Sequence, residues 1–206
     1  MFRLRVSERN SVFTTIKPVH PKAAPSFSLC NGGGARARRR VRAPGHLLRN
    51  EIFVRAVVQR VSSAEVRLDG QVIGRIGAGL LVLAGIGTGD TPETAKAFAG
   101  KILNLRILNG EDRKMNRCLL DVGGEVLCVS QFTLYGDARH GRRPSYTAAA
   151  APIAAQPLYE SLLNNLRALG EPRGIRVESG RFQAMMEVES VNDGPVTLLF
   201  DSDKTF

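Results

Sequence analysis

The residues of this chain that could do chemistry are sparse, and most of the usual ones are missing. Histidine occurs only as His20, His46 and His140. A Ser-His-Asp triad or a His-rich metal site would therefore rest on His140 alone. That residue sits in Asp137-Ala138-Arg139-His140-Gly141-Arg142-Arg143, which has the composition of a solvated loop. The three cysteines, Cys30, Cys118 and Cys128, form no CxxC pair, and their odd number argues against a disulfide framework. Cys128 lies in an apolar run and reads as a core residue. Gly85-Ile86-Gly87-Thr88-Gly89 has neither dinucleotide-binding spacing nor the Gly-Lys-Ser/Thr of a P-loop, so it reads as a turn. No metal and no cofactor is expected.

Two segments remain. Ser130-Gln131-Phe132-Thr133-Leu134 follows the apolar run Val126-Leu127-Cys128-Val129. Small and polar residues after a buried strand leave main-chain N–H groups free to meet a ligand, and such groups can stabilise an oxyanion; losing one good donor costs roughly 3–4 kcal/mol in a transition state. Thr133 adds a hydroxyl, but no histidine lies near it in sequence to activate it as a nucleophile. A polar strand end with Thr as an ordinary β-former is the plainer alternative. Gly194-Pro195-Val196-Thr197 stands where a last strand should begin. Proline cannot donate in a ladder and is confined to strand starts, edges or bulges. A Gly-Pro bond is also one of the few that can be cis. A simple turn into that strand is the competing reading.

The elements that must position these segments are legible in outline. Val54–Val61 is β-rich. Ala64–Leu68 and Gln71–Ile76 flank Asp69-Gly70, a strong hairpin signal. Leu80–Ile86 is a continuous apolar run of strand length. Asp90 or Thr91 caps a helix opened by Pro92 and Glu93, with Ala95, Phe98, Ile102 and Leu105 at helical spacing. A loop through Asn109-Gly110 leads to Gly123-Gly124 and a strand at Glu125–Val129. A second helix is predicted from about Ile153 to Leu169 with the stripe Ala155, Leu158, Leu162, Leu166, Leu169 and a stop at Gly170. Three strands follow, Arg173–Glu178, Ala184–Val191 and Val196–Phe200, with Asn192-Asp193-Gly194 turning between the last two. The expected fold is α/β, with a mixed, largely antiparallel sheet and two main helices.

The formal net charge of +10 is unevenly spread. Residues 1–53 hold 11 Lys and Arg against Glu8 and Glu51, whereas residues 54–206 hold 18 against 17 acids. The first segment also has four prolines, a triple glycine and the cluster Arg36-Ala37-Arg38-Arg39-Arg40, so it is expected to be a disordered basic extension to a single domain at 54–206. It reads as an organellar transit peptide, as a nucleic-acid-binding tail, or as a stretch upstream of the true start, the last being favoured because Val54 stands where an initiator Met would. No run of 18 apolar residues exists, so no membrane partner is expected.

Residues 54–206 resemble the D-aminoacyl-tRNA deacylase family along essentially their whole length. The matching stretches are Arg55–Val61, Gly77–Leu83, Lys114-Met115-Asn116, Val129–Leu134, Arg143-Pro144-Ser145, Gly180-Arg181-Phe182 and Val191–Thr197. Ser-Gln-Phe-Thr and Gly-Pro-Val-Thr in this order are highly specific. The resemblance implies a homodimer that hydrolyses the ester between a D-amino acid and its tRNA, with glycyl-tRNA as a second substrate. It implies a pocket at the subunit interface lined by Ser130, Gln131, Phe132 and Thr133, with main-chain amides near Phe132 and Thr133 facing the oxyanion and the 2′-hydroxyl of the terminal adenosine assisting. Gly194-Pro195, as a cis bond, would reach from one subunit into the other and exclude L side chains. Arg60 would brace that loop, and Phe182 and Met186 would form walls for the adenosine, although core packing suits each nearly as well. The implied location is cytoplasmic, or organellar if the extension is a transit peptide.

Overall fold

The computed structural model describes residues 54–112 and 114–201, together with the backbone of residues 5–6. The remainder of the basic segment 1–53 lies outside the described residues. Strands are numbered from β1 (Arg5–Val6), which runs parallel to the last strand at Glu189 and Ser190.

The organising element is β2 (Val54–Leu68), fifteen residues long. Its first half pairs antiparallel with β4 (Gly79–Ile86), and its second half with β3 (Gln71–Ile76). The β2–β3 turn is Asp69-Gly70, with φ of 50° and 76°. Positive φ at both central residues is the type I′ geometry that matches strand twist. On its other side β2 pairs along nearly its whole length with β9 (Glu187–Phe200). Beyond β4, the strands β7 (Glu125–Ser130) and β8 (Arg176–Ser179) add in parallel, giving the order β1-β9-β2-β4-β7-β8 with β3 paired to β2. The sheet is therefore mixed, as expected. A small separate ladder joins β5 (Leu108–Asn109) to β6 (Met115–Arg117).

Both faces of the central strands are covered, which is why β4 and β7 read as unbroken apolar runs. Leu80, Val82 and Ala84 of β4 and Val126 and Cys128 of β7 face a core shared with α1 (Pro92–Leu103) and α3 (Pro152–Gly170). Leu81, Leu127 and Val129 face a second core closed by Val66, Ile76, Met186 and Val188, where β3 folds back over the sheet. Gly74 is the close approach there: a Cβ would stand 3.0 Å from the Ser179 carbonyl.

The helix starting at Pro92 begins as expected, with the Thr91 hydroxyl accepting from the Thr94 amide (3.3 Å) and the Thr94 hydroxyl accepting from the Thr91 amide (2.9 Å). It ends at Leu103, so Leu105 falls beyond it. Other expectations need correction. In α3 the buried stripe is Ala155, Tyr159, Leu162, Leu163 and Leu166, whereas Leu158 is half-buried and Leu169 exposed. Gly170 does not stop this helix; it lies buried against Ile175, and the chain passes through a 3-10 turn (Glu171–Arg173) to Gly174, whose φ of 74° makes the left-handed exit. The two predicted strands Ala184–Val191 and Val196–Phe200 are one strand, β9, because both parts pair with β2 in the same direction. Asn192-Asp193-Gly194 is therefore no reversal. Two residue steps along β2, Gln59 to Val61, face five along β9, Thr197 to Asn192, and the excess is pushed out as a bulge. Short β5, β6 and α2 (Leu119–Val122) occupy what was expected to be loop.

Candidate active site

The carboxyl ends of parallel strands are where open α/β sheets commonly gather ligands, and β4 and β7 end together here. Ser130 is the last residue of β7, opposite Ala84. The Gln131 amide donates to the Ala84 carbonyl at 2.7 Å, fixing the turn-off from the sheet. The next four residues, Phe132–Tyr135, form a single 3-10 turn in which the Leu134 amide donates to the Gln131 carbonyl and the Gly136 amide to Thr133. The amides of Phe132 and Thr133 open that turn, at positions that have no acceptor within it. The Gln131 carboxamide donates to the Thr133 hydroxyl.

This corner can form because β4 ends in small residues. A Cβ on Gly87 would stand 2.5 Å from the Tyr135 hydroxyl oxygen, and one on Gly85 would stand 3.2 Å from the Tyr135 ring. Tyr135 thus lies flat on the strand end, with the Arg55 guanidinium 4.7 Å from its ring centre. Gly85 and Ile86 belong to the strand and Gly87 to an isolated bridge with Ala149, so the predicted turn begins only at Thr88.

Beside the corner lies a cavity of about 510 Å³. Of the predicted residues it brings together Ser130, Gln131, Phe132, Phe182 and Met186. Phe182 stacks at a tilt on buried Tyr159 (5.8 Å), and Met186 is buried while its sulfur accepts from the Arg181 amide at 3.2 Å. Both serve the core and the cavity wall at once. The third wall was missed: Tyr146 and the run Ala149-Ala150-Ala151-Pro152. Tyr146 meets Phe132 edge-on at 5.2 Å, and the run is tied to β4 by the Ala150 amide, which donates to the Ile86 carbonyl (2.9 Å). Four alanines, Ala148 to Ala151, before a helix-opening proline offered the one hint, since side chains that small leave room. Phe132 is 59% exposed, at the rim.

Among the described residues no carboxylate, imidazole or ammonium lines the cavity. Two residues upstream of Ser130, burial pushes the Cys128 thiol up to about 12, so it stays neutral. Its carbonyl accepts from the Tyr159 hydroxyl (2.8 Å) and the Gly180 amide (3.3 Å), which ties α3 and the end of β8 to the strand that carries the corner. His140 lies exposed in the loop closed by paired hydrogen bonds between Asp137 and Ser145. Among the described residues there is no cluster of three or more metal-ligating side chains.

Arg60, Gly194 and Pro195 form a second group elsewhere. The Gly194–Pro195 bond is cis, and both residues are exposed on the β9 bulge. Arg60 is 6% exposed; its guanidinium donates to the Asp193 carbonyl (3.1 Å), the Ile107 carbonyl (2.8 Å) and the Asn109 side chain (3.1 Å), and forms an ion pair with the Asp193 carboxylate (3.0 Å). The register separates the two groups. Ser130 lies opposite Ala84, Ala84 opposite Ala56, and Ala56 opposite Phe200, whereas the bulge begins before Thr197. That is three strand spacings, roughly 14 Å, plus about 10 Å along the strands. Within one chain the bulge does not reach the cavity.

Known proteins place this architecture. A family model described as D-Tyr-tRNA(Tyr) deacylase matches residues 57–201. The D-aminoacyl-tRNA deacylase of Symbiobacterium thermophilum is 54% identical over 155 residues, covering 75% of this chain and 100% of its own. That of Roseiflexus castenholzii is 57% identical over 149 residues, covering 72% and 92%. A solved structure described as c-Myc DNA Unwinding Element Binding Protein superposes with a TM-score of 0.66 at 40% identity, covering 71% of this chain and 97% of that one. Another, described as a probable eukaryotic D-amino acid tRNA deacylase, shares the fold at a TM-score of 0.62 and 19% identity, covering 71% and 98%.

The chain thus falls among the hydrolases that act on ester bonds. It belongs to the D-Tyr-tRNA(Tyr) deacylase family.

Proposed function

We propose that this protein hydrolyses the ester of D-aminoacyl-tRNA and selects handedness by a wall brought from a second copy of the chain. The observation that carries the reading is the division of the site. The cavity adjoins the turn whose Phe132 and Thr133 amides have no acceptor within it, no carboxylate, imidazole or ammonium lines it among the described residues, and Gly194–Pro195 stands exposed on a braced bulge roughly 17 Å away. A pocket so divided needs a second subunit to be complete.

In the proposed reaction the terminal adenosine lies against Phe182 and Met186, and the ester carbonyl points at the amides of Phe132 and Thr133. Those amides stabilise the oxyanion as water attacks, and fixed placement of ester and nucleophile supplies much of the rate. The 2′-hydroxyl of the substrate takes the proton-handling role that the cavity residues leave unfilled. The partner's bulge occupies the space that an L side chain would need. Discrimination by exclusion leaves glycine unopposed, so glycyl-tRNA is a second substrate. Organellar or cytoplasmic placement does not alter this chemistry; among the described residues no helix is long and apolar enough to cross a membrane.

A second reading, nucleic-acid binding, takes support from the DNA-binding description of the solved structure that is 40% identical and from the charge of the basic segment. Removing residues 1–53 separates the two. Matched D- and L-aminoacyl-tRNA are offered to the full chain and to residues 54–206. The deacylase reading expects rapid loss of the D ester with both proteins and survival of the L ester. Hydrolysis that disappears with the extension, or that ignores handedness, overturns it.

A further inference from the structure

The loop between Asp137 and Ser145 carries charge that the fold does not use. It contains Arg139, Arg142 and Arg143 against one acid, Asp137, a net of +2, so the rest of residues 54–206 sums to −1. Several arginines elsewhere in the domain are paired: Arg55 with Asp201, Arg60 with Asp193, Arg67 and Arg75 with Glu65, Arg176 with Glu125 and Glu178. Within the loop Asp137 is spent on Arg139, through the Arg139 guanidinium (2.9 and 2.6 Å) and amide (3.0 Å). Those bonds hold the Asp137 carboxyl far below the usual carboxylate range. Arg142 and Arg143 are exposed and make no ion pair or hydrogen bond among the described residues.

The loop is also anchored. The paired Asp137 and Ser145 backbones close its neck at 2.8 Å, so its tip is held on a short stem. At that stem Gly136 admits Tyr146 and Pro144: a Cβ there would meet the Tyr146 ring at 3.0 Å and Pro144 at 3.6 Å. Tyr146 in turn packs edge-on against Phe132 at the cavity rim. The two free guanidinium groups therefore sit on a closed loop anchored beside the mouth of the cavity.

We infer that Arg142 and Arg143 form a phosphate clamp for the single-stranded 3′ end of the RNA whose terminal ester enters the cavity. This rests on the deacylase reading. Arginine suits the task because its planar fork donates to a phosphate in two parallel bonds. A near-neutral domain that must draw a polyanion to one opening gains most from unpaired cations at that opening.

The test compares two substrates that share the ester and differ in phosphates, D-aminoacyl-tRNA and 3′-D-aminoacyl-adenosine, using the full chain. For R142A/R143A the expected result is a roughly tenfold rise in KM for the tRNA, with kcat, and hydrolysis of the adenosine ester, within about twofold. The slope of log(kcat/KM) against log salt should become shallower by about 1.4, two single-strand phosphate contacts at roughly 0.7 each. R142K/R143K should recover most of the loss, because charge is kept. An unchanged KM and slope, or an equal loss on both substrates, overturns the inference. Should the native chain fail to hydrolyse either D ester, the deacylase reading falls by itself. The clamp is then read from fluorescence anisotropy of uncharged tRNA: the same loss of salt slope supports it, and identical binding by native and variant chains refutes it.

Discussion

At the scale of single residues, the proposed chemistry rests on backbone groups, with side chains serving to place them. Thr133 is exposed, its oxygen accepts from Gln131, and no base among the described residues lines the cavity to deprotonate it. Thr133→Ala should therefore retain kcat for D-aminoacyl-tRNA within about tenfold, well short of the loss that removal of an activated nucleophile causes. Loss of all turnover with an unchanged circular dichroism spectrum would identify a nucleophilic hydroxyl instead. Cys128 gives a pH prediction. Its folded-state value is raised from 9.0 to about 12 by burial, so the unfolded chain releases the proton first. Stability should be unaffected below pH 9 and should fall as pH rises from 9 towards 12, measured by denaturant melts of the native chain against Cys128→Ala. Ser130, Gln131 and Phe132 were legible in sequence because small and polar residues followed a buried strand. Tyr146 was not, because an isolated aromatic in a polar loop has no periodic signal and its role comes only from its contact with Phe132.

At the scale of elements, local signals succeeded where the backbone itself needs a particular residue. Asp69-Gly70 takes positive φ at both positions, and the hydroxyls and amides of Thr91 and Thr94 satisfy each other. They failed where pairing overrode them. Asn192-Asp193-Gly194 has every mark of a turn, yet β2 holds the chain on both sides of it, so the turn residues become a bulge in one strand. Gly170 fails as a stop for a related reason: Ile175 packs against it, and the exit moves to Gly174. The strands β5 and β6 and the helix α2 are too short for any period to show. The bulge carries its own test. Gly194 has φ of 128°, and a Cβ there would stand 2.7 Å from Val196 and 2.9 Å from the Arg60 guanidinium. Gly194→Ala should cost about 1–3 kcal/mol and narrow the D-over-L ratio of kcat/KM, with the hydrolysis of glycyl-tRNA less affected. An unchanged ratio would remove the bulge from chiral selection. Tyr159→Phe tests the helix-to-strand tie: loss of one buried hydrogen bond to Cys128 should lower stability by about 1 kcal/mol, seen as a fall in Tm of about 2–4 °C.

At the scale of the whole molecule, the mixed sheet was legible from the spacing of apolar runs, whereas its closure was not. Nothing local in Gln71–Ile76 says that β3 must fold back across β7 and β8; that follows from β2 being long enough to serve two partners on one edge. The separation of the cavity from the bulge has a measurable counterpart. If one copy supplies the wall and the other the cavity, mixing Gly194→Ala chains with chains blocked at the Ser130–Thr133 corner should yield hybrid dimers with one intact composite site. Hydrolysis of the L ester per working cavity should then fall to about half that of the Gly194→Ala chain alone, because half of the working cavities face an intact wall. An L-ester rate unchanged by full exchange would assign both groups to a single subunit.

The carbonyl of Cys128 receives a hydrogen bond from α3 and another from the end of β8, one step before the strand gives way to the corner. A junction of three elements under that corner acts as a foundation: the geometry above it cannot drift without disturbing all three. The bulge hangs at the far side of the sheet on a separate set of bonds centred on Arg60. On the proposed division of labour, a library over Asp193 to Val196 rewrites stereochemical preference without touching the machinery of bond cleavage.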